Sequence, residues 1–241
     1  MCSDFTKEVD KDNIALITWD CLDKSMNTMT EEGLKSFQKL VMEALSDDEI
    51  KGIIITSGKA DFSGGMDLST LESLKRNSGS NPASKIFEYI MEGHSLLRKI
   101  ELGKIDDTFK SKPVAFAGGG ICAGIGTEIG LACHRRFFSG SKRSKIGLPE
   151  ILVGLFPGLG GTTRVARMMG LMGASSVLLE GKLFAGDKAK SIGLVDEVVA
   201  EDELIQKAKN WVLSASPQAL IKPWDQKGFK FPGGAPYHPS G

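Results

Sequence analysis

Two glutamates and two stretches of bare backbone are the parts of this sequence that could do chemistry together. Glu128 stands in "AFAGGGICAGIGTEIGLACH" (115–134), a run holding six glycines. Backbone that bare lets a ligand approach main-chain N–H groups closely. The pattern turns helical near Gly124 and Ile125, so free N–H groups and the positive end of a helix dipole face outward there. A carbonyl oxygen gaining charge could be held at such a point. Glu128, one turn from Ile125 on the same helix face, could reach the atoms beside that oxygen. Glu150 directly follows Pro149, which suits a first helical position, so its carboxylate belongs to an opening turn where the dipole favours its charge. "DFSGGMDL" (61–68) supplies a second exposed-backbone loop.

Other readings compete. Glycines also let a helix pack closely on a strand, and an acid at a helix start is common. Gly118-x-Gly120-x-x-Ala123 loosely fits a dinucleotide fingerprint between strand and helix. However, no acid lies about twenty residues on at the end of a next strand, as a ribose contact wants. "GGICAGIG" also lacks the lysine and hydroxyl of a phosphate-binding loop.

The elements that must position these residues alternate along the chain. Residues 13–19 and 50–58 read as buried strands, and residues 31–45 as a helix capped by Thr30, with Leu34, Phe37, Val41 and Ala44 at helical spacing. A loop-rich stretch at 59–82 holds a short helix, and a helix follows at about 83–102. Strands are expected at 113–120, 136–140, 145–147 and 194–199, and helices at 124–134, 149–153, 160–170, 173–180, 185–191 and 201–213. Interleaved strands and helices favour an α/β fold. After Ser216 the composition shifts to prolines and glycines, which reads as a tail or linker over 216–241, beyond a domain at 1–215.

Composition excludes several functions. The 30 basic and 30 acidic residues of the 241 cancel, so no general field draws the chain to nucleic acid or an anionic membrane. The 41% hydrophobic and 25% charged content is that of a soluble globular protein. Four cysteines without a C-x-x-C pair read as free thiols of a reducing compartment, and three scattered histidines give no metal-ligand spacing. The acidic start is no signal peptide, and the longest apolar stretch is too short to span a bilayer. A cytoplasmic protein with no bound metal is expected.

"DFSGGMDL", the glycine-rich run with Glu128, "LPEILVGLFPGLGGTTRVARMMG" (148–170) and "GDKAKSIGLVDEVV" (186–199), in this order, resemble the enoyl-CoA hydratase/isomerase (crotonase) superfamily. "NTMT" (27–30) sits where that family places an early substrate-side loop. The resemblance spans residues 5 to about 215. It implies a spiral of β-β-α units ending in a helical tail, and assembly as a trimer or dimer of trimers. The tail, "KPWDQKGFKFPGG", resembles the segment leaving the hydratase region of multifunctional fatty-acid oxidation α-subunits. That implies a hydratase portion without dehydrogenase activity.

The resemblance also implies the chemistry. Backbone N–H groups of Met66 and Ile125 would grip an acyl-CoA thioester carbonyl. Glu128 and Glu150 would hydrate a trans-2-enoyl-CoA to the 3-hydroxyacyl-CoA, with no cofactor besides the coenzyme A of the substrate. Ser63, Gly64, Gly65, Asp67, Leu68, Gly124 and Gly158 would line the substrate path. The basic group Arg135, Arg136, Lys142, Arg143 and Lys145 reads as a solvated face, with CoA phosphate contact as the alternative. An isomerase needs only one acid, so the pair favours hydration; isomerisation, or acyl-CoA binding without turnover, are the alternatives. Ile125 stands where the family usually has glycine, Gly119 where asparagine is common and Gly64 where a small alanine is usual. If position 125 needs positive φ, isoleucine is strained there.

Overall fold

The computed structural model describes residues 4–76 and 81–234. In chain order, β1 (Phe5–Val9) and β2 (Ile14–Trp19) pair antiparallel, and α1 (Glu31–Ser46) leads to β3 (Gly52–Ser57). Next come α2 (Leu68–Arg76), α3 (Pro82–Leu102), β4 (Val114–Gly118), β5 (Ile121–Ala123) and α4 (Ile125–Ala132). β6 (Arg135–Ser139) and β7 (Lys145–Gly147) precede a 3-10 turn at Glu150–Val153 and α5 (Gly161–Leu178). The chain continues through β8 (Leu183–Ala185), α6 (Gly186–Ser191), β9 (Glu197–Val199) and α7 (Leu204–Ser214). The crossover helix α1 begins where Thr30 Oγ1 accepts the Gly33 N–H, as the capping signal in the sequence required.

Six strands form one sheet in the order β1-β2-β3-β4-β6-β9, parallel from β2 onward. Parallel strands are covered on both faces, which explains the apolar runs "GIII" (52–55) and "VAFAG" (114–118). Ile54, Ala115, Ala117 and Phe137 face Leu204, Ala208 and Val212 of α7. Ile53, Ile55, Val114, Phe116 and Phe138 point the other way, into a larger core with Phe37, Val41, Leu97 and Ile129.

A second, three-stranded sheet has the order β5-β7-β8. The chain repeatedly lays down a main-sheet strand, a short second-sheet strand and then a helix: β4-β5-α4, then β6-β7 and, past the 3-10 turn, α5. Residues 59–68 take the same course, because Ser63 bridges to Cys122 of β5. This is the expected spiral of β-β-α units. Among the described residues no helix is long and apolar enough to cross a membrane.

Three strands had no sequence signal. β5 and β8 hold three residues each, too few to show a period. β1, "FTKEV", buries only Phe5. The helices expected at 160–170 and 173–180 run together as α5, broken at Gly170, whose φ of 73° is not helical. Within the segment after Ser216, expected as a tail or linker, residues 222–225 make contacts with the domain. Lys222 is buried and donates to Leu131 O (3.1 Å) and Cys133 O (2.6 Å).

Candidate active site

The site begins with two loops running side by side. Ser63 bridges Cys122 in parallel, donating its N–H to Ile121 O and accepting from Ala123 N. Continuing that register sets Gly65 beside Gly124 and Met66 beside Ile125. The backbones do meet there: a methyl group at Gly124 would lie 3.1 Å from Gly65 Cα. Both glycines have positive φ, 102° at Gly65 and 58° at Gly124, so the type of residue is dictated by the turn each loop makes.

Met66 is oriented by its other neighbour. Met29 takes Gly65 O with its N–H and gives its own carbonyl to Asp67 N. A parallel bridge made through residues 65 and 67 turns the N–H of Met66 away from Met29. Ile125 is the first residue of α4, with Gly124 at the N-cap, so its N–H is one of the helix's unpaired donors. Among the described residues neither N–H has a hydrogen-bond partner. Thr127 fixes that helix end, its one hydroxyl proton shared between Cys122 O (2.9 Å) and Gly147 O (2.8 Å). The positive φ falls on Gly124, not Ile125, so the isoleucine is unstrained and its side chain is buried in the core.

Met66 and Ile125 border one cavity of about 780 Å³, together with Glu128 and Glu150. Gly64, Gly65, Leu68, Gly124 and Gly158 also line it. Ser63 and Asp67 do not. Ser63 is fully buried beneath the loop, where its hydroxyl accepts the Gly65 N–H. Asp67 turns outward to Lys24 and Ser69, whose hydrogen bonds hold its carboxyl down at about 2. These two residues shape the loop without facing the cavity. Apart from Glu72 of α2, the remaining walls are apolar, including Ile86, Tyr89 and Ile90 from α3, and Leu152, Leu155 and Phe156 beyond Glu150.

Glu128 is 2% exposed. Its Oε1 accepts the N–H groups of Leu159 and Gly161, both at 2.8 Å, so the carboxylate sits on the N-terminus of α5. Burial pushes its pKa up to about 7, and the nearby Glu150 charge adds to this. The Gly161 and Leu159 amides and Arg164 pull the other way. Glu150, in the 3-10 turn, is raised by burial, and its Oε2 is a buried oxygen without a protein partner among the described residues. Its Oε1 lies 3.3 Å from where a Gly124 methyl would stand. The Glu128 and Glu150 carboxyl groups and two free N–H groups thus open on one mainly apolar cavity, which Glu72 also lines. Such a set can stabilise an oxyanion and move protons on adjoining atoms.

The sequence did not reveal the amides that hold Glu128, since Leu159 and Gly161 act through main chain. Nor did it reveal the buried Arg164–Glu101 pair behind them. The basic group at 135–145 is partly committed elsewhere: Arg135 pairs with Glu197, Arg136 with Asp196, and Arg143 donates to Ala60 O. Among the described residues no cluster of three potential metal ligands occurs.

Comparison with known proteins gives the family and the fold. Residues 10–221 match the family model for enoyl-CoA hydratase/isomerase. The chain is 33% identical over 219 residues to the glyoxysomal fatty acid beta-oxidation multifunctional protein MFP-a of Cucumis sativus, covering 90% of this chain and 28% of that protein. It is 35% identical over 204 residues to the fatty acid oxidation complex subunit alpha of Shewanella amazonensis, covering 84% of this chain and 27% of that protein. The chain therefore spans less than a third of these relatives. Among solved structures, the enoyl-CoA hydratase of Geobacillus kaustophilus superposes with a TM-score of 0.75 at 27% identity, covering 89% of this chain and 75% of that one. The chain belongs to the enoyl-CoA hydratase/isomerase family and has the crotonase fold.

Proposed function

We propose that the protein hydrates trans-2-enoyl-CoA thioesters to 3-hydroxyacyl-CoA in fatty-acid β-oxidation. The observation that carries this reading is the convergence, on one cavity, of two unpartnered N–H groups with the buried Glu128 and with Glu150. In this mechanism the thioester oxygen accepts from Met66 N and Ile125 N. Adding water at the β-carbon moves electrons onto that oxygen, and each donor is worth about 3–4 kcal/mol as the enolate forms. One carboxylate takes a proton from the attacking water, and the other carboxyl delivers one to the α-carbon.

Glu128, raised to about 7, exchanges protons readily near neutrality. The buried, unpartnered Oε2 of Glu150 is a natural acceptor for a water hydrogen. Having both Glu128 and Glu150 on the cavity favours hydration over isomerisation, which needs one acid. The apolar walls suit an acyl chain, and the coenzyme A portion is the only cofactor the reaction uses. The same reading makes this a cytoplasmic enzyme assembling as a trimer or dimer of trimers. It is supported by the three cysteines among the described residues, all free and buried, and by exposed apolar residues such as Phe156, Met172 and Leu179.

The test is hydration of trans-2-enoyl-CoA, followed by loss of the conjugated thioester absorbance. Glu128→Gln and Glu150→Gln are each expected to lower turnover by about 10²–10⁴-fold. Turnover unaffected by both substitutions would sink the proposal. CoA-ester binding without turnover in the parent would instead identify a binding protein, and double-bond migration without hydration an isomerase.

A further inference from the structure

The two amides that hold Glu128 do not stand alone. Arg164 Nη1 donates to Leu159 O at 3.0 Å, gripping the loop whose N–H groups bond the carboxylate. Its Nε donates to Glu101 Oε1 at 3.0 Å. Both side chains are buried, Arg164 at 8% and Glu101 at 3% exposed. The other Glu101 oxygen accepts from Arg98 Nη1 at 2.7 Å, and Arg98 grips Asp225 with two bonds at 2.8 and 2.9 Å. The contact extends to the backbone. Gly160 has φ of 93°, and a methyl there would lie 2.5 Å from Arg164 Nη1, so the guanidinium occupies the space a side chain would need.

We infer that Arg164 is a positioning residue for Glu128, anchored by Glu101 in a relay that runs through Arg98 to Asp225. The inference rests on reading Glu128 as a catalytic carboxyl, and it adds a reason for a buried ion pair remote from the substrate. An ion pair this buried rarely repays its desolvation as stability alone. Here the guanidinium fork satisfies two acceptors at once and fixes the loop on which Glu128 depends. The charged groups bearing on Glu128 are Glu150, from the 3-10 turn, and Arg164, from α5. To the same cavity α3 presents Tyr89 and Ile90, and α2 presents Glu72.

Removing Arg164 alone strands the Glu101 charge and risks unfolding. The informative protein is therefore the double variant Arg164→Met/Glu101→Leu, which replaces the pair with apolar groups of similar size. Its fold is checked by circular dichroism. With the fold kept, kcat for hydration is expected to fall on the order of 10- to 100-fold, since small misplacement of a catalytic group costs that much. KM should stay within about twofold, because substrate contacts are untouched. Arg164→Lys should fall between, keeping the charge but not the fork. Asp225→Asn, at the exposed end, should shift kcat in the same direction by less.

A second readout is independent of turnover: the ¹³C titration of the Glu128 carboxyl, assigned by its loss in Glu128→Gln. It should move upward in the double variant, which loses a nearby cation and loosens two amides. A folded double variant with the parent's kcat and titration overturns the inference. A shifted titration in a protein whose parent does not hydrate enoyl-CoA supports the relay and refutes the hydratase reading instead.

Discussion

Glu128 is pulled in two directions. Burial and Glu150 oppose its charge, while the helix N-terminus and Arg164 favour it, and burial wins, leaving the group near 7 against an ordinary 4.5. The folded state therefore holds a proton between pH 4.5 and 7 that the unfolded chain has released. Stability from this group is full below about 4.5 and falls as pH rises toward 7. Above 7 the folded protein carries a buried charge costing about 3 kcal/mol relative to solvent. Glu128→Gln should thus cripple turnover yet melt higher than the parent at pH 8, with the gain shrinking at pH 5. Thermal unfolding at the two pH values checks this, and a variant that melts lower at pH 8 contradicts it. Glu128 and Glu150 were legible in the sequence because a carboxylate amid glycines or at a helix start stands out. Leu159, Gly161 and Glu101 were not, because two act through main chain and the third meets Arg164 63 positions away.

The α4 N-terminus shows how an element fixes a site. A methyl at Gly124 would press on Gly65 Cα at 3.1 Å and Glu150 Oε1 at 3.3 Å, from a backbone with φ of 58°. Gly124→Ala should cost about 1–3 kcal/mol in backbone strain, and turnover should fall more than stability does. Ile125→Gly should do the reverse. The N–H remains, but a side chain only 3% exposed is lost, costing about 2–5 kcal/mol. Steady-state kinetics and denaturant melts on the pair separate the two effects, and equal losses in both assays from both substitutions would argue against this division. Most long elements were readable. The period of α1 and the apolar runs of β2, β3 and β4 follow from facing a core on one or both sides. The three-residue strands β5 and β8 were not, since their place is set by pairing with β7 rather than by local pattern.

At the scale of the molecule, residues 217–225 tie the end of α4 opposite the free N–H groups to the rest of the fold. Lys222 donates to two carbonyls at the C-terminal end of α4, where a cation is favoured, and lies over the Trp224 ring at 5.6 Å. Arg98 holds Asp225 with a forked pair. The prolines and glycines that made this segment look like a tail mark irregular backbone, and irregular backbone can still dock through a few charged contacts. A chain ending at Ser216 loses both sets. Hydrogen bonds to a charged group contribute about 1.5–3 kcal/mol, and a half-exposed ion pair at most about 1 kcal/mol. For a domain of this size that corresponds to a fall in melting temperature of roughly 5–15 °C. Burial lowers the Lys222 amine to about 7, so Lys222→Met in the full chain should reproduce most of the loss below that pH, where the charged form carries the larger share. A shortened chain that melts with the parent would show that α4 is held from within the first 216 residues, and its scanning calorimetry trace decides the matter.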